Sequence, residues 1–221
     1  MLSTRDKKIK DEENKPTEKV ETEITVLEKY VSWYEIEGIW RELVVVLEET
    51  EKIPVIEEIN ESNLDFIKFF HGESKELNEY RKKVILIGIK SLLERGDCYY
   101  WDKTVYFLYG VNSTGKSGGV ALLLSFFSAY YEIGIPDNFA VTGKIDTDNG
   151  NIKKIGGLKS KTIQAIRNPK IKDVILPQEN YEKALKILDD YHKRYSNPKT
   201  LNFHPVSHWK DLINLLLQWK N

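Results

Sequence analysis

Helical and strand-like spacings of apolar residues alternate along most of the chain. The first long helical pattern covers residues 74–95, and Ser74 is a candidate N-cap. Its buried stripe is predicted to contain Leu77, Tyr80, Val84, Gly88 and either Ser91 or Leu92. The run over 120–131 is apolar on nearly every side, which predicts a helix buried at the centre of the fold.

Three more helices are predicted towards the C-terminus. A short helix is expected to begin just after Gly157 and to end near Asn168, because Pro169 is disfavoured in a helix interior. An amphipathic helix is predicted over 181–195, and a last helix over 207–219. One face of the amphipathic helix is predicted to carry Ala184, Leu185, Leu188 and Tyr191.

Short strand-like runs separate these helices. They occur at 43–47, 104–109, 139–145, 172–177 and 200–206. Strands interleaved with helices indicate an α/β fold, or a layered α+β fold. Residues 1–22 are charged and almost free of large apolar groups, so we expect a disordered tail there. Residues 23–221 are then expected to form one domain.

Composition narrows the classes of function. The chain has 33 Lys and Arg against 34 Asp and Glu, and this near-neutral balance offers no electrostatic case for nucleic acid or an acidic membrane. The single cysteine, Cys98, argues against a disulfide-stapled fold and is expected to be a passive thiol. There is no apolar signal-peptide core at the N-terminus and no membrane-length apolar run, so a reducing cytoplasm is the default expectation.

Residues 110–117 fit the pattern G-x-x-x-x-G-K-[ST], the phosphate-binding P-loop. The strand-like run before it and the helical run after it suit that pattern. The residues that would bind ATP or GTP in this way are Gly110, Gly115, Lys116 and Ser117. A P-loop enzyme also needs an acidic residue after a buried strand to hold Mg²⁺, and the best later strand, 172–177, ends in proline instead. A P-loop nucleotide hydrolase is therefore the alternative function.

A second pattern begins inside the same stretch and continues to the C-terminus. Residues 114–121 (T-G-K-S-G-G-V-A) resemble D-G-P-S-A-G-x-A, the nucleophile segment of Lon proteases. Four later segments resemble V-A-M-T-G, P-I-G-G-L-K-E-K, T-V-L-I-P-x-E-N and I-H-P-V of the same family, and they are 139–143, 154–161, 173–180 and 203–206. With all five in register across 105–221, this region resembles the serine–lysine proteolytic domain of Lon proteases, and we expect its fold.

The resemblance implies a catalytic dyad in which Ser117 is the nucleophile, Lys161 is the general base and Thr142 holds the lysine. A lysine accepts a proton only when it is neutral, and burial or neighbouring positive charge favours that form. Lys159 is two residues earlier, on a different face of the helix, so it cannot share the role. The glycines expected to shape the turn and present N–H groups to an oxyanion are Gly115, Gly118 and Gly119.

The chain departs from the family pattern around this dyad. Thr114 stands where the family has Asp, Lys116 where it has Pro, Gly118 where it has Ala, and Lys144 where it has Glu. Positive charge from Lys116 or Lys144 would favour the neutral form of Lys161, which suits a base. Loss of the two acids would equally suit a non-catalytic domain that only assembles or binds partners. That domain is a third alternative.

The resemblance also carries expectations about partners. We expect a polypeptide substrate and a homo-oligomer, because Lon-like protease domains commonly close into six-membered rings. The chain is expected to lack the ATPase module of the family, so a separate ATPase or regulatory partner is a further expectation. A serine–lysine mechanism needs no cofactor or metal, and His204 and His208, with Pro205 between them, favour surface or core-edge roles. The aromatic residues that suit either partner surfaces or core packing are Trp33, Tyr34, Trp40, Trp101 and Trp209.

Overall fold

The computed structural model describes residues 31–36, 39–49, 64–69, 75–101, 103–109, 115–195 and 199–220. The predicted tail at 1–22, the candidate cap Ser74 and the first five residues of the P-loop pattern, 110–114, lie outside these residues. Within the described part of the chain, no helix is long and apolar enough to cross a lipid bilayer.

The described residues form nine β-strands and five α-helices. The strands are β1 (Val31–Ile36), β2 (Ile39–Glu49), β3 (Ile67–Phe69), β4 (Lys103–Tyr109), β5 (Phe139–Val141), β6 (Lys144–Ile145), β7 (Ile152–Lys153), β8 (Asp173–Pro177) and β9 (Asn202–Val206). The helices are α1 (Lys75–Arg95), α2 (Gly119–Tyr131), α3 (Leu158–Arg167), α4 (Tyr181–His192) and α5 (Trp209–Leu217). Two single-turn 3₁₀ helices, Lys116–Gly118 and Gln178–Asn180, directly precede α2 and α4.

Seven of these strands form one mixed sheet in the order β3-β4-β2-β1-β5-β8-β9. Strands β1, β5, β8 and β9 run parallel to one another and form one half of the sheet. Strand β2 is antiparallel to both of its neighbours, β1 and β4. Strands β6 and β7 form a separate antiparallel hairpin. The predicted α/β class is confirmed.

The sheet separates two helical layers. In β8, Ile175 packs in a large core cluster with α1, α2 and α5, while Val174 and Leu176 pack in a small core cluster with α3 and α4. Strand β5 alternates in the same way, with Val141 in the large cluster and Ala140 in the small one. This alternation follows from the period of two in a β-strand, so both faces of the parallel half are covered.

The helices with the clearest local signals form where the sequence predicts them. Every predicted position of the α1 stripe is buried, including Tyr80 and Gly88. Helix α2 is buried from Gly119 to Ser128, as its nearly continuous apolar run predicts. Helix α3 follows Gly157 and ends at Arg167, two residues before Pro169.

The predicted strand over 139–145 is wrong as a single strand. Strand β5 ends at Val141 and the hairpin strand β6 begins at Lys144, with Thr142 and Gly143 between them. Tertiary hydrogen bonds cause the break, because Gly143 bonds to the turn that precedes α2 rather than extending the sheet.

The exposure of three side chains either differs from the sequence prediction or decides between its alternatives. Leu185, predicted to lie on the buried face of α4, is 38% exposed, because Ala184 and Leu188 are the α4 residues buried in the small cluster. Trp101 and Trp209 are only 1% and 4% exposed, so core packing rather than a partner surface accounts for them. The side chains of Trp33, Tyr34 and Trp40 lie outside the described part of the structure.

Candidate active site

Ser117 lies in the single-turn helix before α2, and it is half-buried. Its carbonyl oxygen accepts a hydrogen bond of 2.8 Å from the N–H of Gly143. The hydroxyl of Thr142 donates to the same oxygen at 3.4 Å. The N–H of Val120 in turn donates to the carbonyl of Gly143 at 3.1 Å. The Ser117 turn is therefore held against the two residues that follow β5.

Thr142 and Gly143 connect this turn to the sheet. The N–H of Thr142 donates to the carbonyl of Ile175 in β8 at 2.9 Å, and Thr142 is 2% exposed. A Cβ atom at Gly143 would lie 2.4 Å from Cγ2 of Val120. Carbon atoms do not approach that closely, so the contact between the end of β5 and the start of α2 requires glycine.

The three glycines beside Ser117 have ordinary negative φ angles of −130° for Gly115, −83° for Gly118 and −61° for Gly119. Packing explains one of them, because a Cβ at Gly119 would lie 2.3 Å from the hydroxyl oxygen of Tyr80. The N–H of Gly119 donates to the carbonyl of Lys116, which closes the single turn. An oxyanion-binding role for N–H groups of these glycines stays a prediction.

Lys161 lies in the first turn of α3 and is 7% exposed. It is the one buried lysine among the described residues, whereas Lys159 is exposed, as the spacing of the two predicts. Gly157 precedes the helix with a φ of 64°, in the left-handed region that favours glycine. The Cε atom of Lys161 lies 3.9 Å from the position that a Cβ on Gly157 would occupy. The lysine side chain therefore passes beside the start of its own helix.

Asn180 holds the loop that leads into α3. Its Oδ1 accepts a hydrogen bond of 2.9 Å from the N–H of Ile155, and its Nδ2 donates to the carbonyl of Ile155 at 3.3 Å. Asn180 is 6% exposed and ends the single-turn helix that directly follows β8. Asn180 lies in one of the segments that match the family, but the sequence does not predict its role, because its hydrogen-bond partner Ile155 is 25 residues away.

These contacts anchor the backbone segments that carry the two predicted dyad residues at one edge of the sheet. The Ser117 turn is anchored through Thr142 to Ile175 in β8, and the loop before Lys161 is anchored to Asn180, just beyond the end of β8. The carboxyl edge of parallel strands is the usual place for a site in open α/β sheets. The Ser117 turn joins this edge from the α2 layer, and the loop before Lys161 joins it from the α3 layer.

Tyr80 on α1 contacts the Ser117 turn, although the sequence does not single it out for the site. Its hydroxyl accepts a hydrogen bond of 2.9 Å from the N–H of Ile145 and donates to the carbonyl of Lys116 at 3.2 Å. Burial raises the pKa of Tyr80 above its usual range, and the hydroxyl stays neutral. The sequence signal for such a contact is a tyrosine within a buried helical stripe, because a buried tyrosine hydroxyl needs a hydrogen-bond partner.

Lys116, the lysine of the P-loop pattern, has an ion-pair partner on α1. Its Nζ lies 3.1 Å from Oε1 of Glu76 and 5.5 Å from the centre of the Tyr80 ring. Because Glu76 is 84% exposed, the ion pair contributes little, about 0–1 kcal/mol. Lys144, which replaces a family acid, is exposed.

The two histidines lie apart from this site in separate roles. Nε2 of His204 is 2.9 Å from Oδ1 of Asp173, at the amino end of β8. His208 caps α5, where its side chain accepts a hydrogen bond from the N–H of Lys210 and Asp211 completes a capping box. In the part of the chain that the structure describes, no group of three or more His, Cys, Asp or Glu residues is arranged to hold a metal ion.

A family model and several curated proteins match this chain. The model of the Lon protease (S16) C-terminal proteolytic domain matches residues 109–219. Lon protease 2 of Bacillus subtilis (strain 168) is 38% identical over 89 residues, which are 40% of this chain. The Lon proteases of Karelsulcia muelleri and Mycoplasmopsis agalactiae are 36% and 30% identical over 148 and 155 residues, or 63% and 67% of this chain. The matches span only 15% or 16% of the length of each of these relatives.

Proposed function

This chain belongs to the Lon protease (S16) C-terminal proteolytic domain family, and from that premise we propose that it is a serine endopeptidase acting through Ser117 and Lys161. The substrates that we propose are unfolded or specific polypeptides. The observation that carries the proposal is the anchoring of the Ser117 turn and the loop before Lys161 at the same carboxyl edge of the sheet.

In the proposed reaction, neutral Lys161 takes the proton of the Ser117 hydroxyl while Oγ attacks the scissile carbonyl carbon. The C–N bond then breaks, and the Lys161 ammonium gives its proton to the leaving amine. This step leaves the acyl part of the substrate as an ester on Ser117. A water molecule next gives a proton to Lys161 and attacks the ester carbonyl carbon. The ester C–O bond then breaks, the carboxylic acid leaves, and the Lys161 ammonium returns its proton to Oγ of Ser117.

The burial of Lys161 supports its role as the base. Lysine is almost never fully buried in folded proteins, and Lys161 is 7% exposed while the other described lysines are half-buried or exposed. The sequence around it keeps the spacing of the family segment over 154–161. Burial and register therefore select the same lysine.

Substitution of the dyad tests the proposal directly. Ser117→Ala and Lys161→Ala should each abolish cleavage of casein, and the double variant should be no worse, because the two residues act as a unit. Lys159→Ala is the matched control and should keep most of the activity, since Lys159 is exposed.

A serine-directed fluorophosphonate, with the labelled peptide identified by mass spectrometry, separates an active peptidase from a non-catalytic domain. Labelling of Ser117 that is lost in Lys161→Ala is the expected result. An inactive Lys159→Ala beside an active Lys161→Ala would show that the assigned base is wrong. A wild-type protein that neither cleaves casein nor reacts with the probe would favour a domain that only assembles or binds partners.

Nucleotide binding is the second candidate, because residues 110–117 fit the P-loop pattern and lie between β4 and α2. A P-loop enzyme also needs an acidic residue at the end of a buried strand to hold Mg²⁺, and β8 ends in Pro177, which favours the peptidase. We expect no tight binding of ATP in equilibrium dialysis with Mg²⁺. Micromolar binding that disappears in Lys116→Ala would support the nucleotide-binding alternative.

We also propose that the domain works as a homo-oligomer, in the six-membered rings expected for Lon-like domains, with a separate ATPase or regulatory partner. A reducing cytoplasm is the proposed setting, because a chain with a single cysteine, Cys98, cannot form a disulfide bond within itself. Light scattering at several protein concentrations tests the ring. A strict monomer at the highest concentration would contradict it.

A further inference from the structure

The hydroxyl of Tyr80 joins three parts of the fold at one point. It donates to the carbonyl oxygens of Lys116 and Ile145, at 3.2 Å and 3.3 Å, and it accepts the N–H of Ile145 at 2.9 Å. One hydroxyl proton is thus shared between two carbonyl groups. These bonds tie α1 to the hairpin strand β6 and to the peptide bond immediately before Ser117.

We propose that Tyr80 is a positioning residue, whose hydroxyl fixes the Lys116–Ser117 peptide and so sets the direction in which Ser117 faces the substrate. The inference rests on the proposed peptidase function for its effect on catalysis. Tyr80 does not touch the reacting atoms, since its hydroxyl acts through the backbone of Lys116.

The geometry of the peptide bond gives the mechanism. The carbonyl of Lys116 and the N–H of Ser117 belong to one planar trans peptide, so they point in opposite directions. None of the described peptide bonds is cis. Because the carbonyl of Lys116 is directed to a hydroxyl in the interior, the N–H of Ser117 is directed away from α1. Tyr80 therefore fixes the orientation of the nucleophile's own backbone.

Gly119 and Tyr80 fit each other sterically. A Cβ at position 119 would lie 2.3 Å from the Tyr80 hydroxyl oxygen and 3.2 Å from its ring carbon Cζ. The N–H of Gly119 also donates to the carbonyl of Lys116, the same oxygen that Tyr80 contacts. The absence of a side chain at 119 thus lets the tyrosine reach the turn. This explains a glycine whose φ angle of −61° does not require one.

Tyr80→Phe removes only the hydroxyl and tests the proposal. We expect kcat for casein to fall about 10- to 100-fold, because small misplacements of a reacting group have effects of this size, while KM changes less than about twofold. The matched control is Tyr131→Phe, which removes a half-buried hydroxyl that donates to Asp97 at 2.5 Å, far along α2 from Ser117. The control should keep wild-type kcat.

Hydrogen–deuterium exchange supplies a readout that does not depend on activity. In Tyr80→Phe, exchange should become faster at the amides of Val120 and Gly143, whose hydrogen bonds hold the Ser117 turn, while the α4 amides stay protected. Unchanged exchange at these amides would overturn the positioning role, whether or not the protein is a peptidase. Wild-type kcat in Tyr80→Phe, in a protein that cleaves casein, would overturn it as well.

A second variant pair guards against a general folding defect. Gly119→Ala should lose activity, because its methyl group overlaps the Tyr80 hydroxyl. Adding Tyr80→Phe removes that overlap, so the double variant should be at least as active as Gly119→Ala alone. A double variant whose losses simply multiply would show that the two residues act independently, against the proposal. An inactive wild type would refute the peptidase function alone, since the exchange result would still decide the role of Tyr80.

Discussion

Gly143 offers the sharpest test of how the site is held, because its lack of a side chain allows the end of β5 to meet α2. In Gly143→Ala, the new methyl group would lie 2.4 Å from Cγ2 and 3.1 Å from Cβ of Val120. Ordinary carbon contacts are about 3.5–4.0 Å, so the two segments must separate by about 1 Å. The hydrogen bonds from Gly143 to Ser117, at 2.8 Å, and from Val120 to Gly143, at 3.1 Å, would then be lost or badly stretched.

The expected cost follows from these two effects. Overpacking a core typically costs about 1–3 kcal/mol, and each of the two backbone hydrogen bonds contributes about 1 kcal/mol, so we expect a loss of about 3–5 kcal/mol in the free energy of unfolding. A 1 Å shift of the Ser117 turn should also lower kcat/KM about 100-fold. Urea denaturation and casein cleavage measure the two quantities on the same preparation.

Two variants serve as controls for this experiment. Gly156→Ala places a methyl group where no atom lies within 4 Å and where φ is not positive, so its stability should stay within about 0.5 kcal/mol of wild type. Val120→Ala removes the overlapping Cγ2 atom, so in the Gly143→Ala background it should cost less than it does alone. A Gly143→Ala protein with wild-type stability and activity would refute the argument that the close approach requires glycine.

Three further results are expected. Asn180→Ala should lower the free energy of unfolding in urea by about 1–3 kcal/mol, because it leaves the polar groups of a partly buried peptide unpaired; a loss below 0.5 kcal/mol would contradict this. Lys144→Glu should leave the free energy of unfolding in urea within about 0.5 kcal/mol of wild type, because Lys144 is exposed; a loss above about 1 kcal/mol would contradict this. Burial raises the pKa of Asp211, but the hydrogen bonds that its carboxylate accepts from the backbone of Ser207 and His208 together lower the pKa by more. The net pKa of Asp211 therefore lies below its usual range. Asp211→Asn should therefore cost about 1 kcal/mol in urea denaturation at neutral pH, and its difference from wild type should vanish as the pH falls through that lowered pKa.

Local signals account for the parts of the fold that the sequence predicted. Helix α2 is apolar on nearly every side, so burial decides its structure without knowledge of its neighbours. Helix α3 is bounded by Gly157 and Pro169, whose backbone preferences act on adjacent residues alone. The candidate dyad was identified by matching segments with fixed spacing, and the contrast between buried Lys161 and exposed Lys159 followed from helix geometry.

The features that the sequence did not predict depend on partners far along the chain. Tyr80 bonds to Ile145, 65 residues away, so its place in the stripe shows that it is buried but not what its hydroxyl meets. The run at 139–145 keeps a strand-like pattern, yet Gly143 bonds to Ser117, and this long-range bond breaks the strand. Leu185 has the helical spacing of a core residue, but it is 38% exposed and does not belong to the small cluster.

The placement of the proposed dyad on two layers has a consequence for the order of folding. The turn with Ser117 is continuous with α2 in the large core cluster, whereas Lys161 belongs to α3 in the small core cluster. The buried apolar residues of the two layers fall in two separate clusters, so the layers are expected to behave as separate cooperative units. The site exists only when both are docked on β5 and β8, so catalytic competence should be the last property gained in refolding and the first lost under mild denaturant, while most helical structure persists.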